Sequence, residues 1–248
     1  MESSCKPGNR RAATPTHPHI SDNELPNMPL NWSPLWLSLR VAGIATAVSL
    51  AAGICLAYVL ANRSFRGRDL LDAAVTLPLT LPPTVLGYYL LVAIGQHSPI
   101  GQAYQWLFHS SLVFTWQAAV IASTLHAIPL LVRTARAALL SVDHNLERAA
   151  RNLGASEWRL FWRITLPLTR RSIIAATVLA FARSLGDFGT TLMIAGDIPG
   201  RTQTASIAIY DAVESGDTMT ARVLVLVISA LTIVIVWLAN RLENTVHG

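Results

Sequence analysis

Residues 73–132 read AAVTLPLTLPPTVLGYYLLVAIGQHSPIGQAYQWLFHSSLVFTWQAAVIASTLHAIPLLV, 60 positions without one Asp, Glu, Lys or Arg. A helix rises about 1.5 Å per residue, so roughly 20 apolar residues cross the ~30 Å hydrocarbon layer of a bilayer. The stretch therefore holds two spans and a turn. His97, Ser98, Pro99 and Gly101 mark the turn, placing spans at residues 73–96 and 114–131. Upstream, residues 41–61 are 21 positions without a charge and form a first span, too long for the apolar region of a signal peptide. Downstream, residues 173–194 give a fourth span, interrupted by Arg183 and Asp187, and residues 222–240 a fifth. An all-α, five-span membrane protein is the expected fold class.

Composition agrees. Of 248 residues, 52% are hydrophobic and 13% charged, and the mean hydropathy of +0.43 is well above that of a soluble domain. The net charge of +5 is carried almost wholly by arginine, since Lys6 is the only lysine. That removes a Walker A loop, which needs a lysine after its glycines, and any lysine-based covalent chemistry beyond the amino-terminal tail. Two cysteines, Cys5 and Cys55, are too few for a disulfide framework or a zinc site, and Cys55 reads as a small apolar packing residue. No cofactor is expected. The basic balance is read as membrane orientation rather than nucleic-acid binding, with lipid as a partner.

Arginines sit in two loops: Arg63, Arg66 and Arg68 in one, and eight between Arg133 and Arg171 in the other. Short basic loops stay cytoplasmic. Residues 97–113 lack Lys and Arg, and residues 195–221 set Arg201 against Asp197, Asp211, Glu214 and Asp217, so both face outward. Five spans then put the amino terminus outside and the carboxyl terminus, with Arg241, inside. Residues 1–33 form a polar tail expected to be disordered; His17 and His19 could bind a metal there, but a solvated tail is the expected reading. Trp36, Trp106, Trp116, Trp158, Trp162 and Trp237 fall near the expected interfaces.

The long basic loop, residues 141–167, reads SVDHNLERAARNLGASEWRLFWRITLP. Asp143 is placed to cap a helix on which Leu146, Ala149, Ala150 and Leu153 recur at i, i+3, i+4 and i+7. Gly154 then stands where a helix stops in the left-handed conformation. Ser156 is placed to cap a second helix, from Glu157 onward, leading past Pro167 into span four. Periodicity alone leaves two readings open: a short helix inserting into a groove on a partner protein, or an amphipathic helix lying on lipid headgroups.

Glu147, Ala149, Ala150, Gly154, Ile164, Leu166 and Pro167 resemble the EAA loop of type I ABC importer permeases, with Arg148 inserted in the triplet. The resemblance extends over residues 35–241 as one permease domain. Within it, residues 77–91, LPLTLPPTVLGYYLL, and 181–189, FARSLGDFG, are similar to the permeases of molybdate importers. The second stretch is shared in part with sulfate and thiosulfate permeases, which usually carry Glu where Asp187 stands, so these remain the alternative.

The resemblance implies a non-catalytic subunit in the bacterial inner membrane that pairs with a second copy. Its implied partners are two cytoplasmic ATPase subunits, met through Leu146, Glu147, Ala149, Ala150, Leu153 and Gly154, and an extracytoplasmic molybdate-binding protein. The implied substrate is molybdate, with tungstate as a second. ATP binding would close the ATPase dimer, shift the coupling helices and turn the permease from inward-open to outward-open; hydrolysis would reset it. An ion-driven secondary transporter and a membrane-embedded enzyme using Arg183, Asp187 and His126 are the remote alternatives. No nucleophile stands at recognisable spacing from a base, which argues against the enzyme, and no internal repeat supports a single-chain transporter.

Five residues inside the expected spans are candidates for the transport pathway. Pro78, Pro82 and Pro83 free backbone carbonyls in span two, which suits either a kink that shapes packing or a helix lining a wet path. Arg183 in mid-span costs about 2.5–3.5 kcal/mol unless it finds a partner or water. Asp187, at i+4, either locks span four as an internal pair or belongs with Arg183 beside the oxyanion path. His126 is read as making an interhelical hydrogen bond.

Overall fold

The computed structural model describes residues 31–63 and 65–244. Residues 1–30 of the tail lie outside them, including Cys5, Lys6, His17 and His19, and Ser33 already opens the first helix. Twelve helical segments follow: α1 Ser33–Asn62, α2 Arg68–Thr80, α3 Pro83–Ile94, α4 Pro99–Phe108, α5 Trp116–Leu140, α6 His144–Asn152, α7 Glu157–Leu160, a π segment Phe161–Thr165, α8 Leu166–Leu185, α9 Gly189–Ala195, α10 Ala205–Glu214 and α11 Thr218–Asn244. Four stretches are long and apolar enough to cross a bilayer: α1, α5, Glu157–Leu185 and α11. With α2 and α3 taken as one broken span the number is five.

Helices α1 and α5 pack through small residues. Ala42, Ala45, Ser49, Gly53 and Ala57 are buried along one face of α1; a Cβ on Gly53 would stand 3.1 Å from the Leu131 Cβ. Lipid tails are as apolar as leucine, so close backbone approach rather than the hydrophobic effect drives such contacts. Two apolar clusters fix the chain direction. One joins Val41, Ile94, Ala118, Ala119, Ala122, Ile194 and Ala195. The other joins Ala57, Leu60, Val132, Ala135 and Leu139, with Leu71, Val75 and Phe161 against it. Hence α1 and α5 run parallel, and α2–α3 carries the chain back between them. The loop that contains α6 leaves from the second, or loop, end. Asp72 and Arg136, 3.1 Å apart, tie α2 to α5 there.

Two expected spans prove broken. The single helix expected over 73–96 is α2 and α3, set at 118° to each other. Residues preceding proline are driven to extended backbone and proline lacks an N–H, so Leu81 (ψ 141°) and Pro82 (ψ 140°) leave the helix together. A kink was expected; two consecutive prolines give a break. The helix expected over 173–194 instead starts at Glu157 and stops at Leu185; Gly186, Asp187 and Phe188 are non-helical, and α9 is a separate short helix. Gly186 and Gly189, poor helix formers, flank the break. The π segment lies just before Pro167, where the Leu166 N–H reaches back to the Phe161 carbonyl. The missing Pro167 N–H weakens the α-ladder at that point.

The two breaks meet. Thr190 Oγ1 donates to the Pro83 carbonyl over 3.0 Å. A Cβ on Gly189 would lie 2.9 Å from Pro83 Cβ, and one on Gly87 2.7 Å from Met193 Cβ. Half-helices α3 and α9 therefore run side by side, from the breaks toward the first end, where the Phe114 N–H donates to the Ile194 carbonyl over 2.9 Å. Cys55, expected inside the packing, is exposed on α1 and faces Trp158, Phe161 and Trp162.

Candidate functional site

The loop helix α6 is built from local signals. Asp143 Oδ1 accepts the Asn145 N–H over 2.8 Å at its start. At its end the Gly154 N–H reaches the Arg151 carbonyl and the Ala155 N–H the Ala150 carbonyl, both over 3.0 Å, with Gly154 at φ +81°. This is a Schellman closure, and its left-handed position is the one a glycine adopts without strain. Arg151 grips Glu157 through two contacts, Nε to Oε1 at 2.7 Å and Nη2 to Oε2 at 3.3 Å. That hydrogen bond raises the Arg151 pKa above the ordinary arginine value. The fork fixes α6 against the start of α7, where Ser156 Oγ accepts the Arg159 N–H.

Helix α6 has two different faces. Leu146, Ala149 and Leu153 are exposed, Leu153 to 88%, and Ala150 is half-buried. Glu147 is turned the other way and is 7% exposed, 3.7 Å from Arg151. An exposed leucine–alanine stripe held by two caps and a bidentate ion pair is a rigid apolar ridge, while Glu147 is buried off that stripe.

Some 60 residues separate the partners of the second site. Asp187, in the break between α8 and α9, is 2% exposed and sits among three donors. Thr191 Oγ1 donates to Oδ2 over 2.7 Å. His126 Nδ1, from the middle of α5, lies 3.2 Å from Oδ1, set obliquely rather than in a linear hydrogen bond. Arg183 Nη1 stands 3.8 Å from the same oxygen, beyond hydrogen-bond reach, and its side chain is 37% exposed. Ser184 Oγ, beside them, donates to the Ser123 carbonyl over 3.5 Å. The structure thus joins Arg183, Asp187, His126 and, through Thr190, Pro83. Pro82 starts α3 next to them, whereas Pro78 is buried inside α2 before the break. Thr190, Thr191, Ser184 and the pair Gly87–Gly189 were not legible as site residues. Single threonines and serines in an apolar run carry no spacing signal, and only the glycines flanking Asp187 hinted at a break.

Among the described residues no group of three or more His, Cys, Asp or Glu is placed to hold a metal ion. The chemistry on offer is charge presentation: one half-exposed guanidinium beside a buried carboxylate at the junction of two broken helices. Such junctions expose helix ends and unpaired carbonyls inside a membrane only where protein or water satisfies them.

Comparison with known proteins agrees with this architecture. The chain is 45% identical over 215 residues to the "Molybdenum transport system permease protein ModB" of Escherichia coli K12, covering 84% of this chain and 93% of that protein. It is 31% identical over 210 residues to the E. coli "Sulfate transport system permease protein CysT", covering 84% and 75%. Among solved structures, a bacterial ABC transporter that imports the acidic polysaccharide alginate superposes with a TM-score of 0.69 at 16% identity, covering 87% of this chain and 79% of that one, and so supports the fold. Residues 50–248 match the family described as "Binding-protein-dependent transport system inner membrane component", and the chain belongs to that family of ABC importer permeases.

Proposed function

We propose that this chain is the membrane permease subunit of an ATP-driven molybdate importer. The observation that carries the substrate is the 45% identity to a molybdenum permease against 31% to a sulfate permease over nearly the same length. In this reading the chain catalyses no reaction, and ATP is bound and split by a separate subunit. The exposed ridge of Leu146, Ala149 and Leu153 inserts into a groove on that ATPase, with Glu147 and Gly154 holding its angle. The arginine bias supports a cytoplasmic loop end and an external amino terminus. A second copy completes the pathway, consistent with the exposed aromatic and aliphatic face of α3 at Tyr88, Tyr89 and Val92. An extracytoplasmic molybdate-binding protein delivers the ion.

Arg183 is then the charge that faces the oxyanion path, and Pro82, Pro83 and Asp187 shape its surroundings. Motion of α6 with the ATPase reaches them through α7, the π segment and α8, which form one continuous rod from Glu157 to Leu185. Closure of the ATPase dimer on ATP moves the rods of both copies and opens the path outward; hydrolysis returns it. Selection rests in the binding protein, which must enclose and desolvate the ion.

Cells lacking this chain should lose high-affinity molybdate uptake and molybdoenzyme activity, and recover the activity when molybdate is supplied in excess, while sulfate assimilation continues. Sulfur auxotrophy with normal molybdate uptake would overturn the assignment in favour of sulfate.

A further inference from the structure

We propose that His126 is a positioning residue for transport: by standing against Asp187, it keeps the Arg183 guanidinium out of a bidentate fork and available to an anion. The proposal rests on the reading that Arg183 borders the oxyanion path. A carboxylate is the natural neutraliser of a guanidinium, and the favoured arrangement is a bidentate fork. Arg183 and Asp187, four residues apart, have the spacing to form one. They do not. Asp187 has one oxygen committed to Thr191 at 2.7 Å and the other approached by His126 at 3.2 Å, leaving Arg183 at 3.8 Å. His126 and Asp187 are each 2% exposed, Arg183 37%. His126 and Asp187 thus stand against each other across α5 and the α8–α9 break, inside the protein, and the cation is the more exposed member. No other carboxylate partners Arg183 among the described residues.

The His126 ring stands 3.2 Å from Oδ1 through Nδ1. Without the ring, Oδ1 is free, and Asp187 needs only a small rotation to take Arg183 as a full ion pair. The same protein would then hold its guanidinium in a tight fork where it held it in a loose pair. Anion passage falls while fold, insertion and ATPase docking persist, because the α6 ridge lies at the loop end, away from the cluster.

The experiment uses the assembled importer in proteoliposomes with molybdate-loaded binding protein, reading molybdate moved per ATP split. His126→Leu should lower that ratio about tenfold through the maximal rate, which corresponds to roughly one unit of log rate, with the half-saturating concentration of binding protein unchanged. Adding Asp187→Asn to it should restore transport, since the freed carboxylate no longer carries charge. A merely structural role for His126 predicts the reverse, the double variant being no better than the single. Should His126→Leu not accumulate in the membrane, Thr191→Val releases the other oxygen of Asp187, and the same loss and the same rescue are expected of it. Full coupling in the releasing variant, or a loss that Asp187→Asn does not rescue, overturns the inference. Arg183→Gln separates this from the underlying reading: full transport in Arg183→Gln overturns the pathway role itself, whereas lost transport there with an intact His126→Leu overturns only the positioning role.

Discussion

The α6 loop and the junction of the two broken spans are assembled by opposite means. The contacts that shape the loop join near neighbours in sequence: Asp143 to Asn145, Ala150 to Ala155, Arg151 to Glu157. At the junction the partners are separated by 61 residues between Ser123 and Ser184 and by 107 between Pro83 and Thr190. The first is shaped chiefly by its own caps and carries an exposed apolar ridge; the second exists only when four segments are packed. Damage to one should therefore leave the other working, and that separation can be tested.

The largest effect is expected from Gly87→Leu. Its Cβ would fall 2.7 Å from Met193 Cβ and 3.6 Å from the Thr190 Cα, atoms that move only with the backbone of α9. Overpacking of this kind costs about 1–3 kcal/mol, and relief requires α9 to shift away from α3, carrying Thr190 and Thr191 with it. Transport should drop at least about tenfold, the equivalent of ~1.4 kcal/mol, while the amount of copurifying ATPase stays unchanged. Loss of ATPase together with transport would show that the two regions are not independent.

This difference in assembly decides what the sequence revealed. The uncharged runs gave the apolar helices, and the cap, stripe and glycine of residues 143–154 announced α6 with its ends, because each is a local signal. Glu147 was expected on the docking helix, but that it turns inward and is buried depends on what lies behind the helix. The breaks at Pro82–Pro83 and Gly186–Phe188 were underestimated for the same reason. A proline pair or a glycine tolerates a kink or a break, and the choice falls to the α3–α9 contact. His126 and Asp187 were each visible as polar groups in apolar spans, yet nothing in their spacing of 61 positions pointed one at the other.

Gly154→Val probes the opposite side of the comparison. Its Cβ meets no heavy atom within 4 Å, so the effect comes from the backbone alone: φ is +81°, a region that costs a β-branched residue about 1–3 kcal/mol. Relief means leaving the left-handed conformation, which undoes the Schellman closure and swings the Leu146–Leu153 ridge. ATPase copurification should fall several-fold, with insertion normal and the α3–α9 junction intact. Gly154→Asn, which tolerates that conformation better, should fall less. Equal copurification in Gly154→Val and the wild type would remove the docking role from this ridge.

The smallest effect tests whether a local signal far from both sites behaves as its chemistry demands. Asp217 Oδ1 accepts the Thr220 N–H over 3.1 Å at the start of α11, and hydrogen bonding from the Thr220 side chain, then from its backbone, lowers the carboxyl pKa below the ordinary aspartate value. Because the folded form holds the proton less tightly than the unfolded chain, this stabilisation is complete above the unfolded pKa of about 3.9 and fades as pH falls through the lower folded value. Stability between pH 7 and 5 should thus be insensitive to this group. Asp217→Ala removes the cap at about 1 kcal/mol, a fall of roughly 2–4 °C in the thermal midpoint of the detergent-solubilised protein for a chain of this size. Asp217→Asn keeps a capping side chain and should stay near the wild type at pH 7, since asparagine caps as well as aspartate. A loss in Asp217→Asn equal to that in Asp217→Ala would mean that charge, acting on the α11 dipole, matters more than the hydrogen bond. In that case added salt should weaken the wild type toward the variants.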